Sequence, residues 1–201
     1  MMFHLRVLMF IQSRLFRLLY SWRFGSFGSG TIVVSPIAIE GAQNIHLAED
    51  VFVAAQTCLA AMPYTGAKSC SLVIEKGCRI GRFNHIYATD RIVLQEHVLT
   101  ANGVYISDNQ HDYRNTEIPI LLQPILQRKP VTIGSGTWLG HNVCVMGASI
   151  GRNCAVGANA VVINDIPDYC VVVGAPARII RRYDSESRTW KSTRSDGNWL
   201  D

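Results

Sequence analysis

Ile74, Ile80, Ile86, Ile92, Val98 and Val104 place an aliphatic side chain at every sixth position without a slip. A second series, Ile133, Leu139 and Val145, slips by one residue and resumes as Ile150, Val156 and Val162. Two residues before each member of the second series stands a small or β-branched residue: Val131, Thr137, Val143, Ala148, Cys154 and Ala160. Glycine follows directly in Ile80-Gly81, Ile133-Gly134, Leu139-Gly140, Ile150-Gly151 and Val156-Gly157. Neither a helical period nor the alternation of one long strand produces this template. A six-residue unit cannot bury its own apolar side and must stack on copies of itself, which predicts an all-β solenoid, a parallel β-helix of triangular coils with about 18 residues per coil. On that count Ile74 stacks on Ile92 and Ile80 on Val98.

Weaker periodicity through Ile39, Ile45, Val51 and Thr57 extends the coil toward the N-terminus, interrupted by a loop over 62–70. A longer excursion, 107–130, separates the two clean series. It brings aromatic, acidic, basic and imidazole groups together, as functional loops do. The coil domain is therefore expected over 29–182, with a protruding loop at 107–130, and the polar segment 183–201 is expected to be a loosely ordered tail in which Trp190 and Trp199 could dock. Residues 1–28 read as an amphipathic helical segment. Arg6, Arg14, Arg17 and Arg23 interrupt its apolar residues, so no run approaches the roughly 18 residues of a spanning helix, and no small-residue cleavage site marks a removable signal peptide. Two roles stay open for it: a cover over the open end of the coil, or attachment to the inner membrane face with Trp22 and the arginines at head-group level.

Composition sharpens this picture in three places. With 201 residues, 48% hydrophobic and 17% charged, the chain is long enough for one sizeable core and too apolar for a disordered protein. The net charge of +4 is carried mainly near the two ends rather than in a central stripe, which speaks against a nucleic-acid partner. Cys58, Cys70, Cys78, Cys144, Cys154 and Cys170 show no zinc-ligand spacing and read as reduced, mostly buried packing residues.

Specific motifs sit on this repeat. They are His111-Asp112-Tyr113, Ile118-Pro119-Ile120, Gln123-Pro124, Trp138-Leu139-Gly140, Ile166-Pro167 and the closing stretch Gly174 to Ile180, GAPARII. Together they resemble the hexapeptide-repeat O-acetyltransferases of bacterial capsule, colanic-acid and O-antigen assembly, over roughly residues 30–182. The resemblance implies a left-handed coil, a homotrimer with each site formed between neighbouring subunits, and transfer of an acetyl group from acetyl-CoA to a hydroxyl of a sugar or glycan. It also implies a cytoplasmic protein, peripheral at the inner membrane face if the N-terminal helix engages lipid.

The chemistry asks little of the protein. A hydroxyl needs a positioned base to attack a thioester, and histidine titrates in the useful range. By the family pattern His111 is the catalytic base; Asn109, where related loops often carry a second histidine, cannot replace it. Asp90 resembles the carboxylate that positions the acceptor or orients the histidine. Asn84, like Asp90, puts a polar group in a small-residue slot and is a further candidate for acceptor binding. Trp138 resembles the tryptophan lining the acceptor and thioester end. Gly140 and Ala158 match positions where backbone approaches pantetheine, and Arg178 and Arg181 are placed for the phosphates of the donor. No metal is expected: in the hydratases of the same coil three histidines converge on zinc, whereas His85 and His97 are 12 residues apart and fall on different faces. An amino-group acceptor and a non-catalytic scaffold are the remaining alternatives.

Overall fold

The computed structural model describes residues 3–194 and 196–200, with side chains from residue 7 onward. Met1, Met2, Ser195, Asp201 and the side chain of Arg6, which the sequence reading assigns to the N-terminal segment and the tail, lie outside the described residues.

Short strands wind into three parallel faces. The five-stranded face holds Ser26–Phe27, Ile45–Leu47, Ser71–Ile74, Arg91–Leu94 and Val131–Ile133. A six-stranded face runs from Ala38–Glu40 through Cys58–Ala61, His85–Ala88, Tyr105–Ser107 and Cys144–Met146 to Val161–Val162. The nine-stranded face begins at Ile32–Val33 and includes Arg79–Ile80, Leu99–Thr100, Trp138–Leu139, Ala155–Val156 and Cys170–Val173. Each face turns its aliphatic positions inward: all twelve residues of the two series, Ile74 to Val104 and Ile133 to Val162, are buried in one continuous core. This is the parallel β-helix expected from the repeat.

The coil length differs from expectation. Leu72, not Ile74, lies opposite Ile92, and Ile74 lies opposite Leu94, 20 residues on; Arg79 lies opposite Leu99 rather than Ile80 opposite Val98. The six-residue spacing carries the chain from face to face only as far as Ala88. There a corner at Thr89 and Asp90 inserts extra residues, and Ile92 enters the slot of Leu72. In the second series the coil contracts to 17 residues, with Leu139 opposite Val156 and Val145 opposite Val162, as the slip at Ile150 requires.

The small-residue slot is a corner device. Thr57 Oγ1 donates to Gly81 O at 2.8 Å, Cys78 Sγ to Gln95 O at 3.0 Å, Thr137 Oγ1 to Gly151 O at 2.7 Å and Cys154 Sγ to Pro167 O at 3.2 Å. Each buried side chain donates to a carbonyl in the corner of the next coil. All six cysteines are free thiols and five are buried; burial pushes Cys78 up to about 11.

Two excursions leave the coil, over 62–70 and between Ser107 and Val131. In the second, Asn109–His111 and Ile125–Gln127 pair antiparallel as a ribbon outside the three faces. At the N-terminal end, α1 (Phe3–Tyr20) sets Phe16 against the core, 6.2 Å from Phe24. Among the described residues no helix is long and apolar enough to cross a membrane.

The segment beyond Tyr183 corrects the expectation of a loose tail. A strand over Arg178–Asp184 turns back antiparallel onto Cys170–Val173, and Thr189–Ser192 pairs with it in turn. The last coil would otherwise present a bare edge, and this hairpin covers it. Its aromatic residues dock: Trp190 lies 5.6 Å from Tyr183, and Arg182 stands over Trp199 at 5.6 Å.

Candidate active site

The ribbon that carries His111 is held at its base by a carboxylate. Asp108 is fully buried; Oδ1 accepts from Thr89 N at 2.8 Å and Thr89 Oγ1 at 2.9 Å, and Oδ2 accepts from the backbone N–H groups of Asp90 and Arg91, both at 2.8 Å. Asn109 Nδ2 adds donations to Asp108 Oδ1 and Tyr87 O, each at 3.2 Å. Gln127, across the ribbon, donates from Nε2 to Asp108 O at 2.7 Å, and its Oε1 lies 2.9 Å from Thr89 Oγ1. One side chain thus ties the extra-long corner to the root of the excursion. Sequence reasoning passed over Asp108; the signal was an acidic residue directly after the inward run Val104 to Ser107.

Beyond the root the excursion holds its own shape. Asp112 N donates to Pro124 O at 3.0 Å, and Gln123 Nε2 donates to Asn115 O and Ile118 O. Arg114 grips the Asp112 carboxylate with Nε at 2.9 Å and Nη2 at 2.7 Å, and its backbone N–H adds a third bond. These bonds hold the Asp112 carboxyl far below the usual carboxylate range. His111 projects from this framework exposed to solvent, its backbone opposite Ile125, and among the described residues nothing hydrogen-bonds its imidazole. Asp90 is half-buried at the corner beneath, close enough to Cys70 that its charge, after burial and Asp108, pushes that thiol up to about 11.

Asn84 lies elsewhere. It is buried inside the coil, and its Nδ2 donates to Arg82 O at 3.1 Å and Ala101 O at 2.8 Å. That is the corner role of Thr57 and Thr137, and it offers no atom to a ligand on the surface. Its Oδ1 is buried and has no hydrogen-bond partner among the described residues.

The remaining candidates gather on the nine-stranded face. Trp138, Ala155, Val171 and Arg181 are successive rungs of one transverse row. Trp138 is 45% exposed and lines, with Arg181 and Trp190, an open recess of about 480 Å³. Arg178 is on the same outer surface, opposite Val173, and Ala158 is exposed at the neighbouring corner. Gly140 has a packing reason to be glycine, since a Cβ there would stand 2.8 Å from both Ala158 N and Val156 O. His111 is not among the residues lining this recess. Among the described residues no cluster of three or more His, Cys, Asp or Glu could hold a metal ion.

Comparison with known proteins agrees with the geometry. The family described as the hexapeptide repeat of succinyl-transferase matches residues 130–163. Over those residues the chain carries a hexapeptide repeat. This hexapeptide-repeat chain is 42% identical over 103 residues to the probable acetyltransferase Rv3034c of Mycobacterium tuberculosis, covering 51% of itself and 34% of that relative. It is 33% identical over 120 residues to the putative lipopolysaccharide biosynthesis O-acetyl transferase WbbJ of Escherichia coli, covering 56% of itself and 61% of WbbJ. The matched regions thus span about a third and three fifths of those relatives. Among solved structures, AntD of Bacillus cereus, an N-acyltransferase in complex with dTDP and 3-hydroxybutyryl-CoA, superposes with a TM-score of 0.71 over 85% of this chain and 89% of AntD, at 17% identity. That likeness is one of fold.

Proposed function

We propose that this hexapeptide-repeat chain is an O-acetyltransferase that moves an acetyl group from acetyl-CoA to a hydroxyl of a sugar destined for a bacterial surface polysaccharide. The observation that carries the reading is His111, an exposed imidazole on a ribbon whose root is locked by the buried Asp108. Relatives named as acetyltransferases support the reaction class. WbbJ, described as a lipopolysaccharide O-acetyl transferase, supports the hydroxyl of a sugar over an amine.

In this reading His111 removes the proton from the acceptor hydroxyl as its oxygen attacks the thioester carbon. The carbon–sulfur bond then breaks, and the same imidazole returns the proton to the departing thiolate. Asp90, half-buried at the corner below the ribbon, positions the acceptor. The donor fits the nine-stranded face: Trp138 supplies an apolar wall at the thioester end, the backbone at Gly140 and Ala158 meets the pantetheine amides, and Arg181 and Arg178 face the phosphates.

Within one chain His111 and the Trp138 recess do not meet, which supports a site assembled between subunits of a homotrimer. Ile118, Ile120, Leu121 and Leu122 at the far end of the excursion are all exposed, an apolar surface suited to cover by a neighbour. The left-handed sense of the coil belongs to the same reading. Calorimetric titration with acetyl-CoA, on a sample whose mass is measured by light scattering, tests it. Binding to a trimer supports the proposal, and a chain that takes up no acetyl-CoA in any assembly state overturns it.

A further inference from the structure

Helix α1 has two apolar faces, and the coil uses only one. Ser13 is buried and Phe16 packs on the core, while Arg17 donates from Nη1 to Gly28 O at 3.2 Å. On the opposite side Val7, Leu8, Ile11, Leu15 and Leu18 stand clear of the protein, Leu18 at 76% exposure, and Trp22 continues the line at 73%. Val7 and Leu8 are adjacent, and from Leu8 the residues follow three or four apart, which makes one continuous stripe along the helix that Trp22 extends just beyond its end. Capping the coil accounts for Phe16 and Ser13 but leaves this stripe unexplained, and contiguous exposed apolar surface of this kind marks an interaction site.

Charge selects the occupant. Before Glu40 the chain has Arg6, Arg14, Arg17 and Arg23 and no acidic residue at all. Arg14 stands over the exposed Phe10 ring at 4.9 Å and Arg23 over Trp22 at 5.2 Å, so cations border the apolar stripe. A second copy docked through the same stripe would bring like charges together. A bilayer surface with anionic head groups takes the stripe into its acyl boundary and the guanidinium groups at its phosphates. We propose that α1 is an interfacial anchor that lays the open end of the coil on an anionic membrane. The inference does not depend on the acetyl-transfer reading.

Co-sedimentation of the full chain with vesicles of phosphatidylcholine alone, or of phosphatidylcholine mixed with phosphatidylglycerol, tests it. The chain is expected to bind the anionic vesicles at least about tenfold better and to be released by salt. Ile11→Glu combined with Leu18→Glu should weaken that binding by about tenfold or more with no change in urea midpoint, because both side chains are exposed. Arg14→Gln with Arg23→Gln, which leaves the stripe intact, should remove the preference for anionic vesicles. Failure of the wild-type chain to bind anionic vesicles overturns the proposal. So does equal binding to both vesicle types, or self-association through the stripe, seen by light scattering, in place of lipid binding.

Discussion

Trp138 and Arg181 belong to the same transverse row of the nine-stranded face, with Ala155 and Val171 as the two rungs between them. Adjacent strands are about 4.8 Å apart, so an aromatic wall and a guanidinium are separated by roughly 14 Å along one flat surface. That span suits a ligand apolar at one end and anionic at the other. Arg181→Ala should therefore raise the dissociation constant for coenzyme A by about tenfold or more, the worth of one charge-assisted hydrogen bond. Calorimetry at two salt concentrations checks this, and unchanged affinity would place the phosphates elsewhere.

Asp108 accepts backbone donations from Thr89, Asp90 and Arg91 while fully buried. Asp108→Ala leaves these N–H groups without a partner and should lower stability by about 3 kcal/mol, read as a urea midpoint. The loss should appear in the ribbon first, as faster amide exchange at Asn109 and His111 than in the inward residues of the coil.

The Asp112–Arg114 pair sets a pH dependence. Because Arg114 depresses the Asp112 carboxyl in the folded protein, the stabilising bond is fully present above the ordinary aspartate value of about 4. It is lost progressively as pH falls from that value toward the depressed folded value. Exchange protection at Asp112 N–H, which donates to Pro124 O, should thus decline between about pH 5 and pH 3 in the wild type. In Arg114→Ala, which removes the main cause of the depression, it should start lower and vary less across that window.

Gly140→Ala separates packing from ligand contact. The added Cβ would meet Ala158 N and Val156 O at 2.8 Å, tighter than ordinary contact, so adjacent coils must shift. A loss of about 1–3 kcal/mol is expected from overpacking. A variant as stable as wild type in urea would show that the corner can yield.

The coil was legible in the sequence because the two series of inward positions that form its core are aliphatic and regularly spaced within each coil. Its length was not, because the change from six to eight residues at the Thr89–Asp90 corner leaves Ile92 looking like the next member of the series when it fills the slot of Leu72. Among site residues, Trp138 and Arg181 were named separately from motifs, and only the register of the face brings them together. Asn84 was legible as a polar residue in a small-residue slot, but that its Nδ2 serves the carbonyls of Arg82 and Ala101 was not, because a buried amide that serves a backbone carbonyl and one that serves a ligand look alike in sequence. The ordered C-terminal hairpin was hidden by polar composition, since its contacts are edge pairing and aromatic docking rather than inward aliphatic burial.

The most direct test is free-thiol release from acetyl-CoA, measured with wild type and His111→Ala over a panel of sugars. Wild type should release thiol only with a suitable acceptor, and His111→Ala should bind acetyl-CoA with unchanged affinity while turning over about 100-fold or more slowly, the usual worth of a general base. Equal turnover by the two proteins would contradict a catalytic role for His111, and with it the proposed transferase mechanism.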